Sequence, residues 1–228
     1  RHAPKTLIIA GTNGKGSAAS TLSAAITSSG VRCGLFTSPH LVRPTERFRI
    51  NDCPVSWEQF DHVADQVLKA IHDSGTPLSF FEAMTAMGFL LFRSADVELQ
   101  VLEVGLGGRR DATRVADPTH TLVMGVARDH TRILGNTLAE IASEKLGACG
   151  PDSINVFGLP PRLQSMCSAG WHLGRDVRWR RTAGGAVVVD TPERRVTLAR
   201  PTLVGGHQRR NLALATAMGI RLGLTDAA

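Results

Sequence analysis

Residues 6–17 read Thr-Leu-Ile-Ile-Ala-Gly-Thr-Asn-Gly-Lys-Gly-Ser, an apolar run rich in β-branched residues that ends in a glycine-rich turn. A stretch rich in Ala, Ser and Thr that can form a helix follows, from Ala18 to Ser29. The order strand, loop and helix is the context that a phosphate-binding loop requires. These residues therefore predict an α/β protein with a nucleotide site at the end of its first strand.

The chemistry of this turn favours a nucleoside triphosphate. Its glycines let backbone amides converge on an anion without interference from Cβ atoms. Lys15 supplies a positive charge for the outer phosphates, and the Ser17 hydroxyl can coordinate Mg²⁺. The turn differs from the usual G-x-x-x-x-G-K-[ST] pattern because Gly16 separates Lys15 from Ser17. We predict that ATP is bound by Gly11, Thr12, Asn13, Gly14, Lys15, Gly16 and Ser17.

Composition fits this prediction and argues against nucleic acid as a partner. The chain has 228 residues, a formal net charge of +6 and a pI near 9.8, and it is long enough for one sizeable core in one or two domains. Its basic residues are scattered and it has no Tyr, so little is available to stack bases. A nucleotide together with anionic substrates explains the excess charge.

The four cysteines form no C-x-x-C pair and have no paired histidine, so we expect thiols in a reducing compartment rather than a zinc site. Within these 228 residues we recognise neither a signal-peptide pattern nor an apolar stretch of membrane-spanning length. The apolar run from Phe80 to Phe92 has about 13 residues and predicts a core helix. We expect no membrane partner and a cytoplasmic location, and a mitochondrial location stays open.

The remaining pattern alternates strands with helices, which predicts a doubly wound, mainly parallel sheet. Three short β-rich pieces separated by turns predict a small antiparallel portion near residues 176–200. A helix is predicted from Pro161 to Leu173 and a last helix from His207 to Leu222. Ser56 and Thr137 each begin a capping-box pattern that marks a helix start.

Candidate catalytic residues lie where the predicted strands end. Glu103 ends a buried strand before a glycine-rich turn and could hold a metal ion beside a phosphate. His130 follows the next strand and could be a ligand oriented by Asp129. Lys145 lies within a helix, and Ser38 opens a polar loop. Each of these residues also has an ordinary structural explanation when it is considered alone.

Seven motifs occur in order along the chain, and together they resemble one family. They are Gly-Thr-Asn-Gly-Lys-Gly-Ser (11–17), Phe-Thr-Ser-Pro-His-Leu (36–41), Phe-Phe-Glu-Ala-Met-Thr (80–85), Glu-Val-Gly-Leu-Gly-Gly-Arg-Arg-Asp-Ala-Thr (103–113), Asp-His-Thr-Arg-Ile-Leu-Gly (129–135), Ile-Ala-Ser-Glu-Lys (141–145) and His-Gln-Arg-Arg-Asn (207–211). This set resembles the folylpolyglutamate synthase/dihydrofolate synthase family of the Mur ligase superfamily.

The resemblance implies a phosphate-loop-containing, Mur-ligase-type central domain. We expect residues 1–228 to form this ATP-binding domain, with the N-terminal segment and the C-terminal glutamate-ligase domain of the family absent from the chain. The implied reaction is ATP-dependent addition of L-glutamate to a folate or dihydropteroate carboxylate through an acyl phosphate. The implied partners are these small molecules, and a monomer is expected.

The resemblance also implies roles for individual residues. Lys15, Lys145 and His130 would be catalytic, and Lys145 matches a lysine that such enzymes carbamylate. The Ser38–Arg47 loop would border the pterin site. Gln208 and Asn211 match positions near the nucleotide base or ribose. Mg²⁺ would be held by Ser38, Glu103 and His130, in addition to the Ser17 hydroxyl proposed from the loop itself.

Three alternatives stay open at this stage. The motifs depart from the family pattern, most clearly at Arg114, where the family has Asn and where we expect a cation near the metal turn. A non-catalytic nucleotide-binding remnant would explain such drift, and another Mur-type amide ligase is a rival within the enzyme class. The sequence does not distinguish folate from dihydropteroate as the acceptor.

Overall fold

A computed structural model describes residues 3–167, 169–201 and 205–225. Within these ranges the strands are β1 (Lys5–Ala10), β2 (Cys33–Phe36), β3 (Phe48–Ile50), β4 (Cys53–Pro54), β5 (Leu99–Glu103), β6 (His120–Val123), β7 (Ile154–Phe157), β8 (Trp171–His172), β9 (Arg178–Arg181), β10 (Val187–Asp190) and β11 (Arg195–Leu198).

The α-helices in the same ranges are α1 (Lys15–Ser28), α2 (Trp57–Ser74), α3 (Phe80–Ser94), α4 (Thr131–Leu134), α5 (Leu138–Leu146) and α6 (Gly206–Arg221). Capping boxes begin α2 at Ser56 and α5 at Thr137, as the sequence predicts, and a third begins α3 at Ser79. Short 3₁₀ turns cover Pro44–Arg47, Ala112–Ala116 and Pro161–Met166. Every helix in the described part of the chain is too short or too polar to cross a membrane.

The main sheet has the strand order β4-β3-β2-β5-β1-β6-β7-β8. The strands β2, β5, β1, β6, β7 and β8 run parallel to one another, and β3 and β4 add an antiparallel edge next to β2. From β1 the chain forms β2, β3 and β4 on one side of the sheet and returns to place β5 beside β1. It then forms β6, β7 and β8 on the other side of β1, so β1 lies at the point where the strand order reverses. Ligands of open α/β sheets bind at the carboxyl ends of strands at such a point. The doubly wound, mainly parallel sheet is therefore confirmed, and the predicted phosphate loop, residues 11–17, lies at its switch point.

Alternation along β1 divides the core between the two faces of the sheet. Leu7 and Ile9 pack in a cluster with α1, α6 and strand β10, whereas Ile8 and Ala10 pack on the opposite side with α2, α3 and α5. All four side chains are fully buried. Because side chains alternate across a strand, an apolar run with no polar interruption indicates a strand that is covered on both faces.

The predicted antiparallel portion is confirmed, because β9, β10 and β11 form a separate three-stranded sheet. The helix predicted from Pro161 to Leu173 is wrong. Among the described residues of this segment, Pro161–Met166 forms a 3₁₀ turn and Trp171–His172 pairs with β7 as the edge strand β8. Gly170 adopts a positive φ of 122° between the two pieces, a conformation that a helix does not tolerate.

Candidate active site

The phosphate loop is held from the β6 side by Thr12. Its amide donates a hydrogen bond to the Gly125 carbonyl (2.9 Å), and its hydroxyl both donates to the Ala127 carbonyl and accepts from the Ala127 amide. The loop ends at Gly14, whose left-handed conformation (φ 82°) begins α1 without a side-chain cap. Amides in the first turn of a helix have no intrahelical acceptor, and they lie at its positive end.

The other side of the loop contacts the start of α6. The Ser17 hydroxyl donates to the side-chain carbonyl of Gln208 (3.1 Å). Asn211 is buried and packs so closely on Gly14 that a Cβ atom there would lie 2.5 Å from the Asn211 amide nitrogen. The structure thus brings Gln208 and Asn211, both predicted as nucleotide-binding residues, against the phosphate loop.

Glu103 ends β5 directly beneath the loop and is only 4% exposed. One of its carboxylate oxygens accepts a hydrogen bond from the Ser38 amide (3.1 Å). Burial raises the pKa of Glu103, and the Ser38 hydrogen bond and the Lys15 charge oppose that rise, as do the Gly16 amide and Arg47. A buried carboxylate thus lies between the predicted phosphate site and the loop that starts at Ser38.

Lys145 is also 4% exposed and lies on α5. Burial lowers the pKa of Lys145 to about 8, and the charge of Lys15 acts in the same direction, while Asp129 and Glu144 partly offset both. Lys15 and Lys145 therefore lie within electrostatic reach of each other. The structure brings together two cationic side chains that are 130 positions apart in the sequence.

His130 is joined to this cluster through Asp129. Its Nε2 atom lies 3.7 Å from Asp129 Oδ1, its side chain is half-exposed, and its backbone is left-handed (φ 48°). Among the described residues, no three His, Cys, Asp or Glu side chains group closely enough to hold a metal ion. A metal ion held by Glu103 would need hydroxyl, water or phosphate oxygens as further ligands. Mg²⁺ is commonly held in this way, by one or two carboxylates and the substrate phosphates.

A cavity of about 590 Å³ opens beside this cluster. Ser38 and Arg47 form one wall, and Phe80 and Phe81 form another; Arg110, Asp111, Ile133, Leu134 and Glu144 complete much of the lining. The Arg47 guanidinium lies 5.3 Å from the centre of the Phe80 ring, and its Nε donates to His40 (2.8 Å). The lining combines two aromatic rings with two arginines and three carboxylates, those of Glu82, Asp111 and Glu144, so it can pack on a flat ligand and bind both donors and acceptors of hydrogen bonds.

The glycine-rich turn after β5 is organised by Asp111. Its carboxylate accepts hydrogen bonds from the amides of Gly105 (3.0 Å) and Leu106 (3.1 Å), and from both the amide and the hydroxyl of Thr113. These bonds fold the turn back toward Glu103. The wall of the cavity is therefore set by local hydrogen bonds of one buried carboxylate.

No protein-family model matches the chain. Curated relatives do match it. The chain is 35% identical over 229 residues to a probable bifunctional folylpolyglutamate synthase/dihydropteroate synthase of Haloferax volcanii, covering 92% of the chain and 27% of the relative. It is 33% identical over 229 residues to the dihydrofolate synthase/folylpolyglutamate synthase of Bacillus subtilis, covering 91% of the chain and 52% of that relative.

Solved structures give the same result. The fold matches a folylpolyglutamate synthase of Thermotoga maritima (TM-score 0.88, 30% identity, 98% of the chain and 55% of that structure). It matches a complex of a folylpolyglutamate synthase with AMPPCP (0.86, 28%, 98% and 61%) and Escherichia coli FolC in complex with DHPP and ADP (0.84, 29%, 95% and 54%). The chain belongs to the folylpolyglutamate synthase/dihydrofolate synthase family.

The chain spans about half of the length of the Bacillus synthase and about a quarter of that of the Haloferax protein. The similarity extends over nearly the whole chain, so the family resemblance drawn from the seven motifs is confirmed. The phosphate loop, Glu103 and Lys145 all lie within this shared region, at one end of the parallel sheet.

Arg114, at a position where the synthase family has Asn, does not enter this site. Its guanidinium lies 3.5 Å from Asp117, and it lines a separate cavity together with Arg109 and Cys149. The expected cation near the metal turn is therefore directed away from the 590 Å³ cavity.

Two residues of this synthase-family site were not singled out by sequence reasoning. Arg47 is one of several arginines in a polar loop, and no local pattern distinguishes the one that is buried under Phe80 and acts on Glu103. Asp111 lies within a quoted motif, and its Asp-x-Thr spacing, typical of a side chain that accepts from the backbone two residues later, could have indicated its role.

The buried amine of Lys145 predicts a specific pH dependence of stability. In CO₂-free buffer the unfolded chain keeps this proton up to its ordinary pKa of 10.5, whereas the folded chain loses it near 8. The free energy of unfolding should therefore rise between these pH values, by about 3 kcal/mol at most. Lys145→Met should remove this rise and stabilise the protein at pH 7.

Urea unfolding at pH 7 and pH 10 measures this effect. Lys69→Met is the control, because Lys69 is largely exposed on α2. The prediction is wrong when wild type and Lys145→Met show the same change in stability between the two pH values.

Proposed function

We propose that this chain is the ATP-binding domain of a ligase that joins L-glutamate to the carboxylate of a folate or dihydropteroate through an acyl phosphate. The observation that carries the proposal is the convergence of the phosphate loop, Glu103, Ser38 and Lys145 beside a cavity with aromatic walls. Similar solved structures are complexes with AMPPCP or with DHPP and ADP, which supports the same ligand classes here.

The first step requires two anions to meet in line. An acceptor carboxylate oxygen attacks the γ-phosphorus of ATP, the bond from that phosphorus to the bridging oxygen breaks, and ADP leaves. Lys15 and the first-turn amides of α1 would hold the phosphate charge while the acceptor lies in the 590 Å³ cavity. Their contribution is to neutralise charge and to fix geometry.

In the second step the neutral amine of L-glutamate attacks the acyl carbon, the bond from that carbon to the phosphate oxygen breaks, and phosphate leaves. The nitrogen loses its extra proton to solvent or to the released phosphate. Lys15 remains beside the leaving phosphate and stabilises its charge. The buried site limits competing hydrolysis of the acyl phosphate.

Mg²⁺ fits the donors present. Glu103 offers a buried carboxylate, Ser17 and Ser38 offer hydroxyls, and His130 offers an imidazole; a bound ion would neutralise phosphate charge. Lys145 suits carbamylation, because a lowered pKa leaves part of its amine neutral and able to form a bond with CO₂, releasing a proton. The product, a carbamate, is negatively charged, whereas the protonated amine of Lys145 is positively charged. A cytoplasmic location and a monomeric state stay predictions.

We expect Glu103→Gln to remove most of the Mg²⁺ dependence of AMPPCP binding. The substitution keeps the shape of the side chain and removes its negative charge, so a divalent cation loses its buried carboxylate ligand. Calorimetric titration with and without Mg²⁺ measures the effect, and a loss of about tenfold or more in affinity with Mg²⁺ is expected. Glu98→Gln, at an exposed carboxylate just before β5, is the control. An unchanged Mg²⁺ dependence in Glu103→Gln would contradict the proposed metal site.

The activity itself is tested with the protein encoded by its complete gene. ATP, Mg²⁺ and L-glutamate are supplied with folate, dihydropteroate or a uridine-nucleotide-linked peptide precursor, and ADP release and the mass of the amide product are measured. Product from a pteroyl acceptor supports the proposal and identifies the acceptor. Product only from the uridine-nucleotide precursor would indicate another Mur-type ligase. AMPPCP binding with no product from any acceptor would indicate a non-catalytic remnant.

A further inference from the structure

A second cavity, of about 550 Å³, lies at the carboxyl ends of β6 and β7. Thr12 and Asn13 of the phosphate loop form one side of it, the segment that follows β7 forms another, and Arg210 reaches it from α6. Gln208 and Asn211 face the loop from the same helix, whereas Arg210 extends toward Gly158. The cavity is therefore distinct from the one lined by Ser38 and Phe80.

Arg210 is a partly buried guanidinium without a carboxylate partner in the described ranges. One of its terminal nitrogens donates to the Gly158 carbonyl. The group lies directly on the bare backbone of Gly125, where a Cβ atom would be 3.1 Å and 3.3 Å from its two terminal nitrogens. Burial lowers the pKa of Arg210, and no neighbouring carboxylate offsets that change. A cation that is partly removed from water in this way favours the binding of an anion.

The charged side chains that line this cavity are all positive. It contains a second guanidinium, that of the exposed Arg162, and neither Asp nor Glu. The arginines of a third cavity differ, because Arg109 lies 3.8 Å from Glu144 and Arg114 lies 3.5 Å from Asp117. Arg210 thus differs from both arginines of the third cavity, each of which lies beside a carboxylate.

We propose that Arg210 and Arg162 form a subsite for a small oxyanion, a phosphate or carboxylate group, on the β7 side of the phosphate loop. Guanidinium groups present planar pairs of donors that match either kind of oxyanion. The cavity is large enough for inorganic phosphate or for an amino acid such as L-glutamate. The subsite does not require that the chain catalyse the reaction proposed above.

The test is a titration of the ¹⁵N-labelled 228-residue chain with sodium phosphate and, separately, with L-glutamate, followed by amide chemical shifts. Shifts at Gly125 and Gly158 report the proposed subsite, whereas shifts at Gly14 and Gly16 report the phosphate loop, so binding at the two places is separated. Arg210→Gln should weaken the effect at Gly125 and Gly158 at least tenfold. Arg180→Gln, which removes an exposed charge on β9, should leave it unchanged.

Saturable shifts with phosphate support a phosphate subsite, and saturable shifts with L-glutamate alone support a carboxylate subsite. Absence of shifts at Gly125 and Gly158 with both anions overturns the proposal, as does wild-type affinity in Arg210→Gln. If Arg210→Gln does not fold, Gly125→Ala is the second test variant. It keeps the charges of Arg210 and Arg162 and places a Cβ atom against the Arg210 guanidinium. Its affinity for the same anion should fall several-fold, and an unchanged affinity also overturns the proposal.

Discussion

Lys15→Ala is expected to weaken binding of AMPPCP with Mg²⁺ at least 100-fold and to abolish ATP turnover in the protein encoded by the complete gene. Lys15 is the first residue of α1 and lies close enough to act on both Glu103 and Lys145. It is the cation next to the glycines that would receive the outer phosphates. Charge-assisted hydrogen bonds to phosphate contribute strongly, and a 100-fold loss corresponds to about 2.7 kcal/mol.

Calorimetric titration of the chain measures this affinity, with Lys69→Ala as the control for loss of one lysine from an exposed position. Wild-type affinity in Lys15→Ala would contradict the assignment of the phosphate loop. Binding of AMPPCP that is lost in Lys15→Ala and kept in Lys69→Ala would support it independently of catalysis.

Gly14→Ala is expected to lower the free energy of unfolding by about 2–4 kcal/mol and to abolish AMPPCP binding. Two costs add at this position. A non-glycine residue at φ 82° is strained by about 1 kcal/mol, and a Cβ atom 2.5 Å from the buried Asn211 amide forces repacking that costs about 1–3 kcal/mol. Repacking also moves the loop away from the start of α6.

Gly30→Ala separates these two costs. Gly30 has nearly the same conformation (φ 86°), but no atom lies within 4 Å of the position of its Cβ, so the substitution should cost about 1 kcal/mol. Urea unfolding of both variants measures the difference. Equal losses would show that the Asn211 contact contributes nothing. In the double variant Gly14→Ala with Asn211→Ala, part of the loss should be recovered, because the clash is relieved.

Local sequence patterns predicted the parts of the fold and site that depend on neighbouring residues. The phosphate loop was predictable because its glycines, Lys15 and the preceding apolar strand are contiguous. The helix starts at Ser56 and Thr137 were predictable because a capping box involves residues three positions apart. Glu103 was predictable as a residue at a strand end before a glycine-rich turn.

Two expectations drawn from the sequence were wrong, for different physical reasons. Residues 161–173 have an apolar pattern that is compatible with a helix, but pairing of Trp171 and His172 with β7 made part of the segment a strand. Arg114 was expected near the metal turn, and its contact with Asp117 directs it elsewhere. In the first case pairing with a separate strand outweighed a local preference, and in the second a contact three positions along the chain set the direction of the side chain.

The sequence alone determined the fold class, the strand–loop–helix unit around residues 11–17 and the family, because each depends on residue types at short, fixed spacings. Tertiary structure alone decided which side chains meet. Ser17 bonds to Gln208 across 191 positions, Asn211 closes on Gly14, and Lys145 comes within reach of Lys15. It also left Arg210 without a carboxylate partner among the described residues. Burial and pairing of charge depend on packing between separate elements, which no local spacing specifies.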